Sequence, residues 1–131
     1  MKANAILFLA VFAISLTLFS CKNDNEKIVG KWQHILIVGY SFQGSDTLDM
    51  TKYPPTFNTF REDNTLLVTN GKEEVNVRYF VRDKKLFSFI LGAPDTSIME
   101  IKKLTKDELI LQVSINDGTQ RKENLHYKRV D

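Results

Sequence analysis

Few residues of this chain could do covalent or metal chemistry, because it contains one cysteine, Cys21, and two histidines, His34 and His126. Cys21 directly follows Ser20 at the end of an apolar run, Ala5–Phe19, that begins behind a positively charged start. A positive start, an apolar stretch and a small residue before the cleavage point are typical of a secretory signal peptide. The sequence therefore predicts export, with the Cys21 thiol beside the processing point.

A cysteine directly after the small residue resembles the lipobox of bacterial lipoproteins, in which the cysteine is diacylated. This resemblance implies that residues 1–20 are a lipoprotein signal peptide and that Cys21 carries acyl chains. Two acyl chains give stable anchoring, so the membrane is an expected partner. We expect the protein in the cell envelope of a Gram-negative bacterium, on the outer membrane and on either of its faces. Residues 21–27 are then the acylated cysteine and a polar tether, whose composition favours disorder.

Two other interpretations of this region are open. A single transmembrane anchor needs about 20 apolar residues, whereas this run is shorter and ends in polar residues without a basic stop-transfer cluster. An ordinary buried thiol is the second alternative, and it does not fit a cysteine between a processing signal and a polar segment.

The histidines and the charges give no sign of catalysis. His34 shares strand parity with Trp32, Leu36 and Val38 and is predicted to face inward, whereas His126 is predicted to face outward. Two histidines on different faces do not make a metal site, and none of the common nucleophile, phosphate-loop or zinc motifs is present. With 18 Lys and Arg against 16 Asp and Glu, well mixed along the chain, no basic nucleic-acid footprint is expected. We therefore expect neither an enzyme nor a cofactor.

From Ile28 onward the chain alternates short apolar runs with turns. Val75, Val77, Tyr79 and Val81 recur at every second position, which is typical of a strand with one buried face. Counting such runs predicts about eight antiparallel strands and no helix longer than a turn or two. Closing an open meander into a barrel removes its exposed edges. The prediction for residues 28–131 is therefore an all-β, single up-and-down barrel, whose interior is filled or holds one small ligand.

One connection, Tyr40–Pro55, is much longer than the others. Long ordered loops in small domains often serve as lids or binding loops. A mobile surface loop without a binding role is an equally weighted alternative for this segment. The apolar content of the segment, including Tyr40, Phe42 and Tyr53, favours a lid over something apolar.

The chain resembles the lipocalins, and more closely the short lipocalin-like domains of bacterial lipoproteins. Gly30-Lys31-Trp32 matches the G-x-W motif of the first lipocalin strand, within a broader I-x-G-x-W pattern. Phe60 followed by an acidic turn, and a terminal Arg-Val at Arg129, match the short lipoprotein domains. The resemblance implies that Gly30, Trp32 and Arg129 are structural, with the arginine packed over the tryptophan. The chain departs from classical lipocalins because it can form no disulfide. Its strands are also short, so the barrel should be shallow.

Two functions remain open at this point. The first is a carrier for a small apolar or amphipathic molecule, with His34, Leu36, Tyr79 and Tyr127 as candidate ligand contacts. The second is an interaction or inhibitor module with a filled barrel and an unidentified protein partner. An apolar space of ligand size favours the first, and a packed interior with an exposed apolar patch favours the second.

Overall fold

A computed structural model describes residues 23–130 of the chain. The predicted signal peptide, Cys21, Lys22 and Asp131 lie outside the described residues. Within the described residues, a short helix, α1, is followed by strands and one 3-10 helix, Met50–Lys52. In chain order the elements are α1 (Asp24–Lys27), β1 (Gly30–Ser41), β2 (Gly44–Asp49), β3 (Phe57–Phe60), β4 (Thr65–Thr69), β5 (Glu74–Arg82), β6 (Lys85–Phe89), β7 (Thr96–Leu104), β8 (Glu108–Ser114) and β9 (Lys122–Val130).

The strands form a closed antiparallel barrel. From β3 to β9 each strand pairs with the next, and β9 returns to β1 in a ladder that runs from Lys31 opposite Val130 to Tyr40 opposite Lys122. Eight strands close the ring and β2 is added to it. This confirms the predicted all-β up-and-down barrel. Closure leaves few backbone groups unpaired, since every ring strand has a neighbour on both sides.

Two separate strands share one edge of β1. The first part of β1 pairs with β3, from Gly30 opposite Phe60, and the second part pairs with β2, up to Ser41 opposite Gly44. Between β2 and β3 the chain leaves the sheet through the 3-10 helix. The long connection predicted from the sequence is therefore mostly a β-hairpin that continues the barrel wall.

The two ends of the barrel differ. We call the end where β1 begins the closed end, because α1 and the buried Ile28 cover it, and the end where β1 turns into β2 the open end. The Trp32 indole is fully buried and donates its Nε1–H to the carbonyl of Ile28 at 2.8 Å. It belongs to a single core cluster: Ile28, Trp32, Phe60, Leu66, Tyr79, Val81, Leu86, Ile101, Leu109, Leu111 and Tyr127.

The segment before the barrel is held to it by specific hydrogen bonds. The Asn23 side chain caps α1 by accepting from the Glu26 amide at 3.0 Å. The Asn25 side chain donates to the carbonyl of Val81 and accepts from its amide, both at 3.0 Å. The prediction of a disordered tether is therefore wrong from Asn23 onward. The side chain of Asn25 bonds to the backbone at the end of β5 as a neighbouring strand would.

Arg129 fastens the closed end from the last strand. Its guanidinium lies 4.2 Å from the centre of the Trp32 ring. It donates to the carbonyls of Val29 at 2.8 Å, Lys27 at 2.7 Å and Lys106 at 2.5 Å. Gly30 has φ +137°, and a Cβ there would overlap the Arg129 guanidinium. Glycine at this position therefore lets the arginine cross β1 and reach the backbone beyond it.

Candidate functional site

A β-bulge in β1 decides which side chains enter the barrel. The ladder with β9 pairs His34 with Tyr127 but Leu36 with His126, so one residue, Ile35, is extra. Residues directly opposite each other in an antiparallel ladder share a face. The predicted inward orientation of Leu36 is therefore wrong, since Leu36 shares the outer face with His126. Counting every second residue along β1 cannot reveal this bulge.

His34 lies inside the barrel, stacked on Tyr127. Their ring centroids are 4.7 Å apart at an interplanar angle of 21°. The His34 Nε2 atom is buried and has no hydrogen-bond partner. Burial lowers the pKa of His34 below its usual 6.5, a backbone hydrogen bond with Leu36 opposes this change, and repulsion from His126 adds to it. At neutral pH the imidazole is therefore uncharged, with one buried nitrogen free to accept or donate a hydrogen bond.

Tyr127 is the more deeply buried member of this pair. It is 6% exposed, and burial raises the pKa of its hydroxyl to about 12, although a hydrogen bond with the Asn58 side chain opposes the rise. The hydroxyl stays protonated at every physiological pH. His34, Tyr127 and Asn58 come from β1, β9 and β3, three adjacent strands of the ring. They form an uncharged polar cluster inside the barrel.

Tyr79 is engaged elsewhere. Its ring packs edge-on against Phe60, with centroids 5.0 Å apart at 86°. Its hydroxyl donates to the carbonyl of Arg61 at 2.8 Å. Since β5 lies three strands from β1 around the ring, the structure does not bring Tyr79 together with His34.

Inward-facing apolar side chains at the open end are partly exposed. Val75 lies opposite Val68, which packs on the core, yet Val75 is 44% exposed. Leu48 shares the face of Ile37 and is also 44% exposed. The barrel interior is therefore filled at the closed end, whereas at the open end incompletely covered apolar side chains share the inner face with the charged Asp46 and Glu123. The alternation along β5 indicated that Val75 faces inward, whereas nothing in the sequence indicated that it stays exposed.

An open depression of about 330 Å³ lies where β6 ends and β7 begins. It is bordered by Val77 and Ser88, which face the interior, and by Ile90, which is 53% exposed just after β6. Asp95, Thr96 and Ser97 border it on the side of β7, and the outward-facing Phe89 borders it at the rim. The strand order places this depression across the ring from His34 and Tyr127.

The predicted lid residues stand on the β1–β2 hairpin and the segment after it. Tyr40 is 45%, Phe42 75% and Tyr53 53% exposed. None of these three side chains belongs to the core cluster. The hairpin extends above the open end, and its β2 strand pairs with β1 alone among the described strands.

A second arginine crosses β1 at the open end. Arg121 forms ion pairs with Asp46 at 2.8 Å and with Glu123 at 3.5 Å. A Cβ on the buried Gly39 would overlap the Arg121 guanidinium. Gly39 thus leaves room for the Arg121 guanidinium, as Gly30 leaves room for that of Arg129. The ion pair between Arg121 and Asp46 attaches β2 to the loop before β9.

Within residues 23–130 no group of three or more His, Cys, Asp or Glu side chains is placed to hold a metal ion. Over the same range, the helices are too short or too polar to cross a bilayer.

No family model matches this chain, and a search of curated proteins finds no match.

Proposed function

We propose that this protein is a lipid-anchored, lipocalin-like lipoprotein of the cell envelope that binds a small amphipathic molecule at the open end of its barrel. The observation that carries the proposal is the partial exposure of the inward-facing apolar side chains Leu48 and Val75, and of Ile90 beside the depression, whereas the closed end is filled. Burying such side chains releases about 25 cal/mol for each Å² of apolar surface. A bound apolar group would supply that burial.

The cluster of His34, Tyr127 and Asn58 indicates which polar group the ligand would carry. His34 Nε2 is buried without a partner, and a buried unpaired nitrogen destabilises a protein by about 1–3 kcal/mol. A ligand hydroxyl or carbonyl that reached this atom would remove the cost. Because His34 is neutral and Tyr127 stays protonated, we expect the ligand group that contacts His34 to be uncharged.

The anchor and the family complete the proposal. Ser20-Cys21 supports diacylation, and the G-x-W segment with Arg129 over Trp32 supports a lipocalin-like domain. The closed eight-stranded barrel is compatible with that family. A tethered binder of this kind meets its ligand at the membrane surface, where amphipathic molecules are concentrated.

Native mass spectrometry of the protein purified from its own host tests this function. We expect a bound species of small-molecule mass, lost when His34 is replaced by Leu, which retains bulk but cannot hydrogen-bond. His126→Leu on the outer face is the matched control and should retain the species. A wild-type protein without any bound mass, or equal retention by both variants, would contradict the proposal.

A protein-binding function is the second candidate, because the free edge of β2 is available for strand addition. Phe42 at the tip of this hairpin is 75% exposed. A photo-crosslinking residue at Phe42 should then give a discrete adduct in living cells. The control is the same residue at Leu91, which is 73% exposed in another loop. Adducts at neither position, or at both alike, would exclude a partner specific to the hairpin.

A further inference from the structure

The outer wall of the barrel carries an aromatic patch on β5, β6 and β7. Phe80 stacks on Phe87 with centroids 4.6 Å apart at 8°, and Phe89 lies 6.4 Å from Phe80. Ile98 lies opposite Phe87 in the next strand and is 53% exposed, while Phe80 is 38% exposed. We call Phe80, Phe87, Phe89 and Ile98 the aromatic wall. Its side chains point away from the core, so folding does not explain their apolar character.

Cationic side chains border the aromatic wall on the same face. Arg78 lies opposite Phe89 and Arg82 lies opposite Lys85 in the β5–β6 ladder. The Arg82 guanidinium is 5.7 Å from the centre of the Phe87 ring. The acidic neighbour Glu100 is paired with Lys102 at 3.3 Å. Aromatic rings surrounded by Arg and Lys suit the headgroup region of a bilayer that contains anionic lipids.

The start of the described chain lies close to this wall. Asn25 is hydrogen-bonded to both backbone groups of Val81, which stands between Phe80 and Arg82. Only Lys22 separates Cys21 from Asn23. Two residues span at most about 7 Å, so acyl chains on Cys21 would enter the membrane near the end of β5.

We propose that the aromatic wall is a second membrane contact, lying on the bilayer that holds the acyl chains of Cys21. This inference rests on the acylation of Cys21 in the proposed function. The rings of Phe80 and Phe87 lie at headgroup depth, and Arg78, Arg82 and Lys85 bind anionic phosphates. The barrel therefore rests on its side. The β6–β7 turn with Leu91, which is 73% exposed, brings the open depression close to the lipid surface.

The test uses the acylated mature protein, residues 21–131, in vesicles of phosphatidylethanolamine and phosphatidylglycerol. Acylation blocks the thiol of Cys21, so a cysteine introduced by Ile98→Cys is the single site for an environment-sensitive fluorophore. The control is Lys128→Cys, an exposed position on β9 across the ring. We expect lipid-borne nitroxide quenchers to quench the label at position 98 severalfold more strongly than the label at 128. Adding Arg78→Glu and Arg82→Glu should reduce that difference.

The outcomes separate the wall from the anchor. Intact mass and a second label on Cys21 reveal a protein without acyl chains, and that result overturns both the anchor and this inference. An acylated protein whose two labels are quenched equally overturns the wall alone. A label at 98 that is shielded from aqueous iodide but not quenched by lipid also overturns it, because a protein or a second copy then covers the wall.

Discussion

The contact between Arg129 and Trp32 permits a quantitative prediction. Arg129→Ala removes the cation from the indole face and leaves three carbonyls without their donor. Trp32→Leu removes the ring, leaves a cavity and takes the Nε1–H away from the Ile28 carbonyl. The two side chains touch, so the effects of the two changes on the free energy of unfolding should not add.

The expected magnitudes follow from these contacts. The half-buried bond from Arg129 to Val29 contributes about 1.5 kcal/mol, and the cation–π contact about 1 kcal/mol. The two exposed bonds contribute less because water competes for them. We expect Arg129→Ala to lower the free energy of unfolding by about 2–4 kcal/mol, and Trp32→Leu by a similar amount through its cavity. The double variant should lose about 1 kcal/mol less than the sum.

Urea denaturation of the four proteins, followed by far-ultraviolet circular dichroism, measures this coupling. The same signal serves all four, since it does not depend on the indole. Arg129→Lys is the control that retains the charge but not the planar fork, and it should fall between wild type and Arg129→Ala. Losses that add within about 0.3 kcal/mol would refute the contact as a source of stability.

Four further predictions concern other parts of the chain. Gly39→Ala should displace the Arg121–Asp46 ion pair and lower the free energy of unfolding by about 1 kcal/mol or less, as for other exposed ion pairs. A much larger loss of stability that does not depend on pH would show that Gly39 has another role. Tyr127 has a pKa of about 12 in the folded protein against 10.0 in the unfolded chain. Its contribution to the free energy of unfolding, about 2–3 kcal/mol, is therefore complete below pH 10 and lost between pH 10 and 12. Tyr127→Phe should abolish this loss of stability at alkaline pH. The lowered pKa of His34 acts in the other direction, since its contribution is complete above pH 6.5 and lost as pH falls below it; His34→Leu should flatten acid denaturation there, and an unchanged profile would contradict a buried neutral imidazole. Cys21→Ser should prevent incorporation of a fatty-acid analogue and release the protein from the membrane fraction, whereas continued labelling would exclude this residue as the anchor.

The sequence predicted the barrel because its strands carry local signals. Period-two alternation in β5 and Asn70-Gly71 before it are patterns that depend on neighbouring residues alone. The Gly30-Lys31-Trp32 motif and Arg129 also marked the first and last strands, which pair in the structure.

The parts that were not predicted depend on long-range pairing. The bulge at Ile35 reverses the faces of Leu36 and Ile37, and only the ladder with β9 reveals it. Residues Asn23–Lys27 have the composition of a disordered segment, yet Asn25 is ordered by the distant backbone of Val81. The polar segment Gly44–Asp49 has little strand propensity of its own, and its strand conformation follows from pairing with β1.

Binding at the open end is the central claim, and two isoleucines with equal exposure test it most directly. Ile90 borders the open depression and Ile98 lies on the outer wall, and both are 53% exposed. The measurement is a fluorescence titration with N-phenyl-1-naphthylamine, in a Cys21→Ser background that carries no acyl chains to bind the probe. Ile90→Asp should abolish saturable probe binding, while Ile98→Asp should bind like the parent. Equal binding by both variants, or loss in Ile98→Asp alone, would contradict a binding site at the open end.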